Sequence, residues 1–205
     1  MIDVADWVIQ QQIAQQLQTV KQQASTLVPS LFAALPATEQ NQLVTALAQS
    51  IPVNLGYVPT TTVSLPGIWV YGDAGAEQPD QDVIGQQWYQ TTSGSPPTAT
   101  EAFVVFAQST WRCVVVSINL TLTLALAALV RWALYQARPA LSQPPTRFIT
   151  QVVSWGPLQP VTDAAGDVIF PYSRTVTLTA RHPDTWATTG ISTVSQATAT
   201  VQPTA

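Results

Sequence analysis

The feature that most constrains the fold of this chain is an uncharged stretch of eighteen residues, 113–130, flanked by Arg112 and Arg131. Such a stretch either crosses a membrane or is buried inside a folded domain. A membrane-spanning helix needs about twenty predominantly apolar residues in one helix. This stretch is shorter, changes its hydrophobic period midway, and contains four polar residues at positions 117, 119, 121 and 123. It therefore favours burial within the protein, with a membrane-spanning helix as the alternative.

The two halves of the stretch have different periods. "RCVVVS" at residues 112–117 is rich in β-branched side chains and predicts a buried strand. Apolar residues then recur every three or four positions until about Pro139, which predicts a helix capped by Asn119 or Thr121. Cys113 is the only cysteine, so no intrachain disulfide can form. Because it lies in the apolar run, we expect it to be a small buried hydrophobic residue.

The rest of the chain indicates an α+β fold with a mainly antiparallel sheet packed by helices. Residues 2–35 predict a helical segment interrupted near Pro29 and Pro36, and residues 38–49 predict a second helix. Strands are expected at 67–72, 86–92, 147–157 and 167–182, and the runs at 101–109 and 111–119 suggest a hairpin. The predicted organisation is a helical segment (1–52), an α+β core domain (53–185) and an extended or flexible C-terminal tail (186–205).

Charge is scarce and unevenly distributed. Charged residues make up 9% of the chain, against about 25% in a typical soluble domain, which is consistent with a surface largely covered by neighbouring subunits. Up to Phe106 the net charge is −7, and the remainder carries +3. A subunit with one acidic and one weakly basic face can pair head to tail around a ring, although two ordinary surfaces explain the same distribution.

The sequence contains no catalytic signature, so we expect a non-enzyme without cofactor or metal. His182 is the only histidine, which excludes a multi-histidine metal site. The acidic loop of Asp73, Glu77, Asp80 and Asp82 does not match the EF-hand spacing and is more typical of a solvated loop. No cluster of basic residues and no basic stripe with interleaved aromatics is evident, which argues against a nucleic-acid-binding surface.

Three patches, taken in order, resemble bacteriophage tail terminator and neck (tail-completion) proteins. The first is a Gly-Tyr pair followed by "LPGIWVYGDAGAEQPDQDVIG" (65–85). The second joins "WRCVVVSIN" to "LALAALVRWALYQARPAL" (111–141), and the third is "GPLQPVTDAAGDVIFPYSRTVTLTA" (156–180). Together with the N-terminal helical segment, this order covers most of residues 1–185.

The resemblance implies a structural virion protein that forms a homo-oligomeric ring, with a hexamer expected, at the head-proximal end of the tail. Such a ring is assembled in the host cytoplasm, caps the tail tube and joins it to the neck or connector proteins and, in contractile tails, the sheath. DNA passes through its lumen without being read, and no membrane is involved. The long Gln-rich N-terminal helix and the Ser/Thr/Ala-rich tail depart from the pattern. They leave open a connector, neck or sheath-associated adaptor, or a non-catalytic binding module of another tail-like machine.

Within such a ring, two groups of charged residues are candidate contacts. We expect the acidic loop of Asp73, Glu77, Asp80 and Asp82 to face the lumen or an axial neighbour. The basic residues Arg138, Arg174 and Arg181 are the candidate subunit contacts on the other half of the chain.

Overall fold

The computed structural model describes residues 4–58, 65–73, 78–79, 87–93, 98–162 and 165–189. The helices are α1 Val4–Gln22, α2 Ala24–Leu31, α3 Ala37–Leu47 and α4 Leu120–Leu141. The strands are β1 Val53–Leu55, β2 Gly67–Gly72, β3 Gln78–Pro79, β4 Gln87–Ser93, β5 Thr98–Ser117, β6 Thr150–Thr162 and β7 Val168–Thr189. The chain divides into two compact units, one of residues 1–78 and 108–182 and the other of 79–107 and 183–205.

The first unit contains a sheet with helices packed against it. Its strand order is β1-β2-β5-β7-β6. β1 runs parallel to β2, whereas β2 pairs antiparallel with β5 and β6 pairs antiparallel with β7. The expected α+β class with a mainly antiparallel sheet is therefore confirmed. In the second unit, β4 pairs antiparallel with the first half of β5, Gln87 opposite Val104 and Ser93 opposite Thr98.

The prediction of a hairpin between residues 101–109 and 111–119 was wrong, because β5 is one continuous strand of 20 residues. The polar residues midway do not turn the chain, since their side chains bond to β7 instead. Ser109 Oγ lies 2.8 Å from His182 Nε2, and Thr110 Oγ1 lies 3.3 Å from Thr179 Oγ1. The polar residues Ser109 and Thr110 thus mark side-chain contacts between the neighbouring strands β5 and β7.

The predicted change from strand to helix inside the apolar stretch is confirmed. β5 ends at Ser117 and α4 begins at Leu120. Asn119 is the N-cap: its side-chain oxygen accepts a hydrogen bond from Leu122 N at 3.0 Å, which satisfies one of the free N–H groups of the first turn. The helix continues through Pro139 to Leu141.

α4 is the core helix of the first unit. Its buried residues are Thr123, Ala125, Leu126, Ala127, Leu129, Val130, Ala133, Leu134, Ala137 and Leu141. Among the described residues it is also the one helix long and apolar enough to cross a membrane, with half of the apolar window buried within the protein. A core helix passes the same test of length and composition, and the contacts of α4 with α1, α3 and β6 are those of a core helix.

The predicted interruption of the N-terminal helical segment near Pro29 was wrong, because the segment breaks at Gln23, between α1 and α2. α1 buries a stripe at three- and four-residue intervals, with Ala5, Ile9, Ile13, Leu17 and Val20 on one face. Trp7 lies off this stripe and is 54% exposed. Pro29 is accommodated within α2, which ends two residues later at Leu31, and Pro36 is the N-cap of α3.

The two faces of the sheet have separate apolar clusters. The helix-covered face contributes alternate residues of β2, β5 and β7 to the main core: Ile68, Val70, Trp111, Cys113, Val115, Val176, Leu178 and Ala180. The opposite face carries a smaller cluster of Trp69, Val114, Val116 and Phe170. Cys113 is fully buried, as expected from the sequence.

The pairing of the last two predicted strands is confirmed, but both are longer than predicted. β6 continues to Thr162, so the loop predicted at 158–167 is shorter than expected, and β7 continues to Thr189. The register shifts between Trp155 and Leu158 and twice more before Thr162, which marks bulges in this pair. Residues 190–205 of the predicted tail lie outside the described residues.

Candidate functional site

Five side chains from three elements form a continuous stack of alternating cations and rings. The guanidinium carbon of Arg138 lies 4.5 Å from the ring centre of Tyr135, and that of Arg131 lies 5.5 Å from the same ring. Arg131 also lies 5.0 Å from the ring of Trp155, which Arg174 approaches to 4.4 Å. All four distances are within the range of cation–π attraction. We call these five residues the arginine–aromatic column.

Helical spacing and strand alternation bring the column together. Arg131, Tyr135 and Arg138 are four and three residues apart on α4, so their side chains share one helix face. Arg174 has the same parity on β7 as the buried residues Val176 and Leu178, which places it on the helix-covered face of the sheet. Trp155, on the neighbouring strand β6, bridges this arginine to the helix.

Gly156 allows β6 to approach β7 closely beside Trp155. A Cβ atom at this position would lie 3.0 Å from Thr175 Cβ and 3.2 Å from the Thr175 carbonyl oxygen. Both distances are shorter than most Cβ contacts, so a side chain at this position would require Thr175 to shift by a few tenths of an ångström. The register shift that follows Trp155 begins at this residue. The backbone next to the column is therefore fixed by a close contact between strands.

The arginines of the column lack carboxylate partners within the described residues. The one ion pair found there joins Arg112 and Asp73, with Arg112 Nε 2.9 Å from Asp73 Oδ2. The Nε atoms of Arg131 and Arg174 are buried and have no hydrogen-bond partner in this part of the chain. Arg138 donates from Nη2 to the Gln151 carbonyl oxygen at 3.0 Å. Three positive charges are thus gathered with aromatic rings, and no carboxylate of the described residues pairs with them.

The column adjoins a largely apolar strand edge. β6 is the last strand in the described sheet order, with β7 as its neighbour. Along and just before β6, three apolar residues are exposed: Ile149 (55%), Val152 (62%) and Leu158 (42%). Trp155 of the column is itself 37% exposed. Residues 150–156 contain neither a charge nor a proline, whereas prolines occupy positions 157 and 160. Residues 150–156 therefore lack charged residues and prolines, two of the devices that protect an edge strand from pairing with another chain.

The predicted site residues separate into four groups. Arg138 and Arg174, the predicted subunit contacts, meet in the column, although 36 positions separate them in the sequence. Arg181 has the opposite parity on β7 and lies opposite Thr150 of β6, so it faces away from the column. Asp73 pairs with Arg112 on the neighbouring strand β5. Glu77, Asp80 and Asp82 lie outside the described residues.

Of the other titratable groups that the sequence singled out, Cys113 is packed in the core and His182 is half-buried. Burial, and secondarily the charge of Asp6, raises the pKa of the Cys113 thiol to about 12, so the thiol is neutral near pH 7. His182 contacts Ser109 and lies about 6 Å from the rings of Trp111 and Phe148 (6.1 and 6.0 Å). Within the described residues, no group of three or more His, Cys, Asp or Glu side chains is positioned to hold a metal ion.

The clefts of the described part offer little chemistry. One of about 270 Å³ lies between α1 and the segment leading into β1. Its polar groups bond to one another: Gln10 Nε2 donates to the Val53 carbonyl oxygen at 2.7 Å, and Lys21 Nζ donates to Ser50 Oγ at 3.0 Å. The column is therefore the most distinctive polar feature of the described surface.

Sequence reasoning missed the column because its members are not contiguous. No basic stripe with interleaved aromatics is visible along the sequence. In the fold, however, residues of α4, β6 and β7 together form such a stripe. The i, i+4, i+7 spacing of Arg131, Tyr135 and Arg138 was the one signal available.

Comparison of the sequence with protein-family models and with curated proteins found no match.

Proposed function

We propose that this chain is a structural subunit that closes on copies of itself into a ring, and that the ring is a tail terminator at the head-proximal end of a phage tail. The proposal includes no catalysis and no cofactor. In the mature particle the ring caps the tail tube and contacts the neck. The three sequence patches that resemble terminator and neck proteins support this placement.

The observation that carries self-assembly is the edge of β6, the last strand of the described sheet, which has no charge or proline over residues 150–156. An edge strand presents a row of backbone N–H and C=O groups that can pair with another chain, and proteins usually blunt such edges with charges or prolines. Residues 150–156 have neither, and Val152 exposes most of its side chain beside them. A subunit that is permanently part of an assembly does not need charges or prolines at this edge, because the neighbouring subunit covers it.

Low charge content supports the same conclusion. Seven basic and eleven acidic residues in 205 leave little charge to solubilise a large free surface. The same scarcity suits a lumen through which DNA passes, since dense rings of cations would retain the phosphate backbone.

The ring is tested by measuring the mass of the purified chain. Native mass spectrometry or light scattering after size exclusion should show a closed oligomer, and six copies of the 22.0 kDa chain give about 132 kDa. Val152→Lys should shift the protein towards monomer, because a charge at the edge opposes strand pairing. Gln15→Lys, at an exposed position of α1, adds the same charge elsewhere and should leave the oligomer intact.

The position in the tail is tested with polymerising tail tubes. Added protein should stop elongation, and electron microscopy should show one ring at one end of each tube. A wild-type chain that stays monomeric, alone and with tubes, would contradict the ring and favour a non-catalytic binding module instead. A ring that does not bind tubes would favour a connector, neck or sheath-associated protein.

A further inference from the structure

The described sheet of the first unit has two ends, and they differ in what lies beside them. At one end is β1, which is three residues long and packs against α1. Its Val53 carbonyl oxygen accepts a hydrogen bond from Gln10 Nε2 of that helix at 2.7 Å, so α1 takes up an acceptor of this strand. At the other end, residues 150–155 of β6 pair with β7 in one unbroken register. The edge of β6 is therefore the end of the sheet that can accept another strand.

The part of β6 without charge or proline is symmetric about Val152. Arg147 is the last charged residue before the strand, and Pro157 is the first proline within it. Each lies five positions from Val152, one on either side. The exposed side chains repeat this symmetry, with a hydroxyl two positions away on each side and an apolar group three positions away: Thr150 and Ser154, Ile149 and Trp155. A segment with this symmetry matches the same segment of a second copy that runs in the opposite direction.

We propose that β6 pairs antiparallel with β6 of a second copy of this chain, about a twofold axis at Val152. This inference rests on the proposed self-assembly and names the strand that β6 meets. Residues directly opposite each other in an antiparallel pair share a face of the sheet and contact one another. Val152 then packs against the second copy's Val152, and Thr150 lies opposite the second copy's Ser154. Just outside these pairs, Ile149 comes beside the second copy's Trp155.

Neighbouring registers fit the sequence less well. With the axis one residue earlier, at position 151, Arg147 lies opposite the second copy's Trp155, which brings a charge into the paired segment. With the axis one residue later, at position 153, Pro157 lies opposite the second copy's Ile149, and proline has no N–H group to donate. The axis at Val152 leaves both Arg147 and Pro157 outside the paired segment.

The arginines of the column do not oppose this pairing. Trp155 of one copy and Trp155 of the other are offset by six residues along the paired strands, which is about 20 Å at about 3.4 Å per residue. That separation exceeds the Debye length of about 8 Å at physiological ionic strength, so the two columns repel each other little. Arg138 donates to the Gln151 carbonyl oxygen at 3.0 Å, and a carbonyl oxygen has two lone pairs with which to accept hydrogen bonds.

A twofold contact joins subunits in pairs and does not by itself close a ring. The proposed ring therefore needs a second contact elsewhere on the subunit. A ring that is built from such pairs contains an even number of copies, as the expected hexamer does. The pair and the ring can be measured separately, because a pair has its own mass and its own cross-links.

Disulfide cross-linking tests the pair and its register. Val152→Cys places two thiols across the axis, where the Cα atoms of opposite residues in an antiparallel pair lie about 4.5–5.5 Å apart, within the reach of a disulfide. Mild oxidation of the dilute purified variant should shift its band on a non-reducing gel from 22.0 kDa to about 44 kDa. Cys113, the only native cysteine, is fully buried and does not compete.

Thr150→Cys and Ser154→Cys are matched controls at exposed positions on the same face of the same strand. In the proposed register each thiol alone is offset by four residues from its counterpart, about 13 Å, which is too far for a disulfide. Each single variant should therefore stay at 22.0 kDa. The two substitutions combined in one chain place thiols opposite each other and should give the band at about 44 kDa.

The outcomes separate the inference from the proposed function. Cross-linking of Thr150→Cys or Ser154→Cys alone to the same extent as Val152→Cys overturns the register. If none of the variants cross-links although the wild type forms closed oligomers, a different surface of the neighbour covers β6, which overturns the inference and leaves the ring standing. Pairs that cross-link as expected but never form a larger closed oligomer support the inference and contradict the ring. A wild-type chain that stays monomeric contradicts both.

Discussion

Replacing Asn119 by alanine tests the link that joins strand β5 to the core helix α4. The Asn119 side chain accepts a hydrogen bond from Leu122 N at 3.0 Å. Two further contacts at this junction do not use that side chain. Ser117 Oγ accepts from Asn119 N at 3.1 Å, and Thr123 Oγ1 donates to the Asn119 carbonyl oxygen at 2.9 Å. The substitution therefore removes a single hydrogen bond.

The expected loss is about 1 kcal/mol in the free energy of unfolding, the usual cost of removing an N-cap side chain. It is not larger, because the first turn of α4 is exposed enough for water to reach the Leu122 N–H group. For a chain of this size the melting temperature should fall by about 2–4 °C.

Urea unfolding followed by tryptophan fluorescence and far-UV circular dichroism measures this loss, at a protein concentration that gives one assembly state. Asn119→Asp keeps the acceptor oxygen and should stay close to the wild type. Asn41→Ala, at an exposed position inside α3, should be neutral or slightly stabilising, because alanine is the better helix former. If Asn119→Ala is as stable as the wild type, or if Asn119→Asp loses as much, the capping argument is wrong.

Three further predictions concern the core and the β6–β7 contact. Leu126→Ala, at a fully buried position of α4, should cost about 3–5 kcal/mol in unfolding free energy, whereas Leu120→Ala, which is 40% exposed, should cost under about 1 kcal/mol. Cys113 should not react with a thiol reagent at pH 8 until the chain unfolds. Its pKa is raised from 9.0 to about 12 by folding, so the unfolded chain loses the proton first and stability falls as pH rises from about 9 to about 12. Urea titrations at pH 8, 9 and 10 should show the unfolding free energy of the wild type falling by up to about 1.4 kcal/mol per pH unit. Cys113→Ala should lack this fall. If both proteins lose stability equally with pH, the burial argument is wrong. Gly156→Ala should cost about 1–3 kcal/mol by forcing β6 away from Thr175, and unchanged thermal stability would show that the strands can separate freely.

Local patterns predicted the elements whose signal lies within a few residues. The period change after Ser117 located the start of α4, and Asn119, one of the two predicted caps, is its N-cap. The apolar surroundings of Cys113 were sufficient to predict its burial. In each case propensity and packing favour the same structure, so the sequence alone is informative.

The features that sequence patterns did not predict depend on contacts between segments that are distant in the chain. Ser109 and Thr110 resemble a turn along the chain, yet they lie within the continuous strand β5 and their side chains contact β7. Trp7 fits a three- and four-residue apolar pattern, but the stripe that meets α4 runs through Ile9 and Ile13 instead. The column needed three elements to be placed side by side before its charges met.

The packing of α1 against α4 has a consequence for synthesis in the cell. α1 emerges from the ribosome about a hundred residues before α4, which supplies much of the apolar surface that covers its stripe. At translation rates of about 5–20 residues per second, that interval lasts roughly 5–20 s. During it, Ile9, Ile13 and Leu17 remain without that partner helix, so the nascent N-terminal segment is a natural client for chaperones that recognise exposed apolar helices.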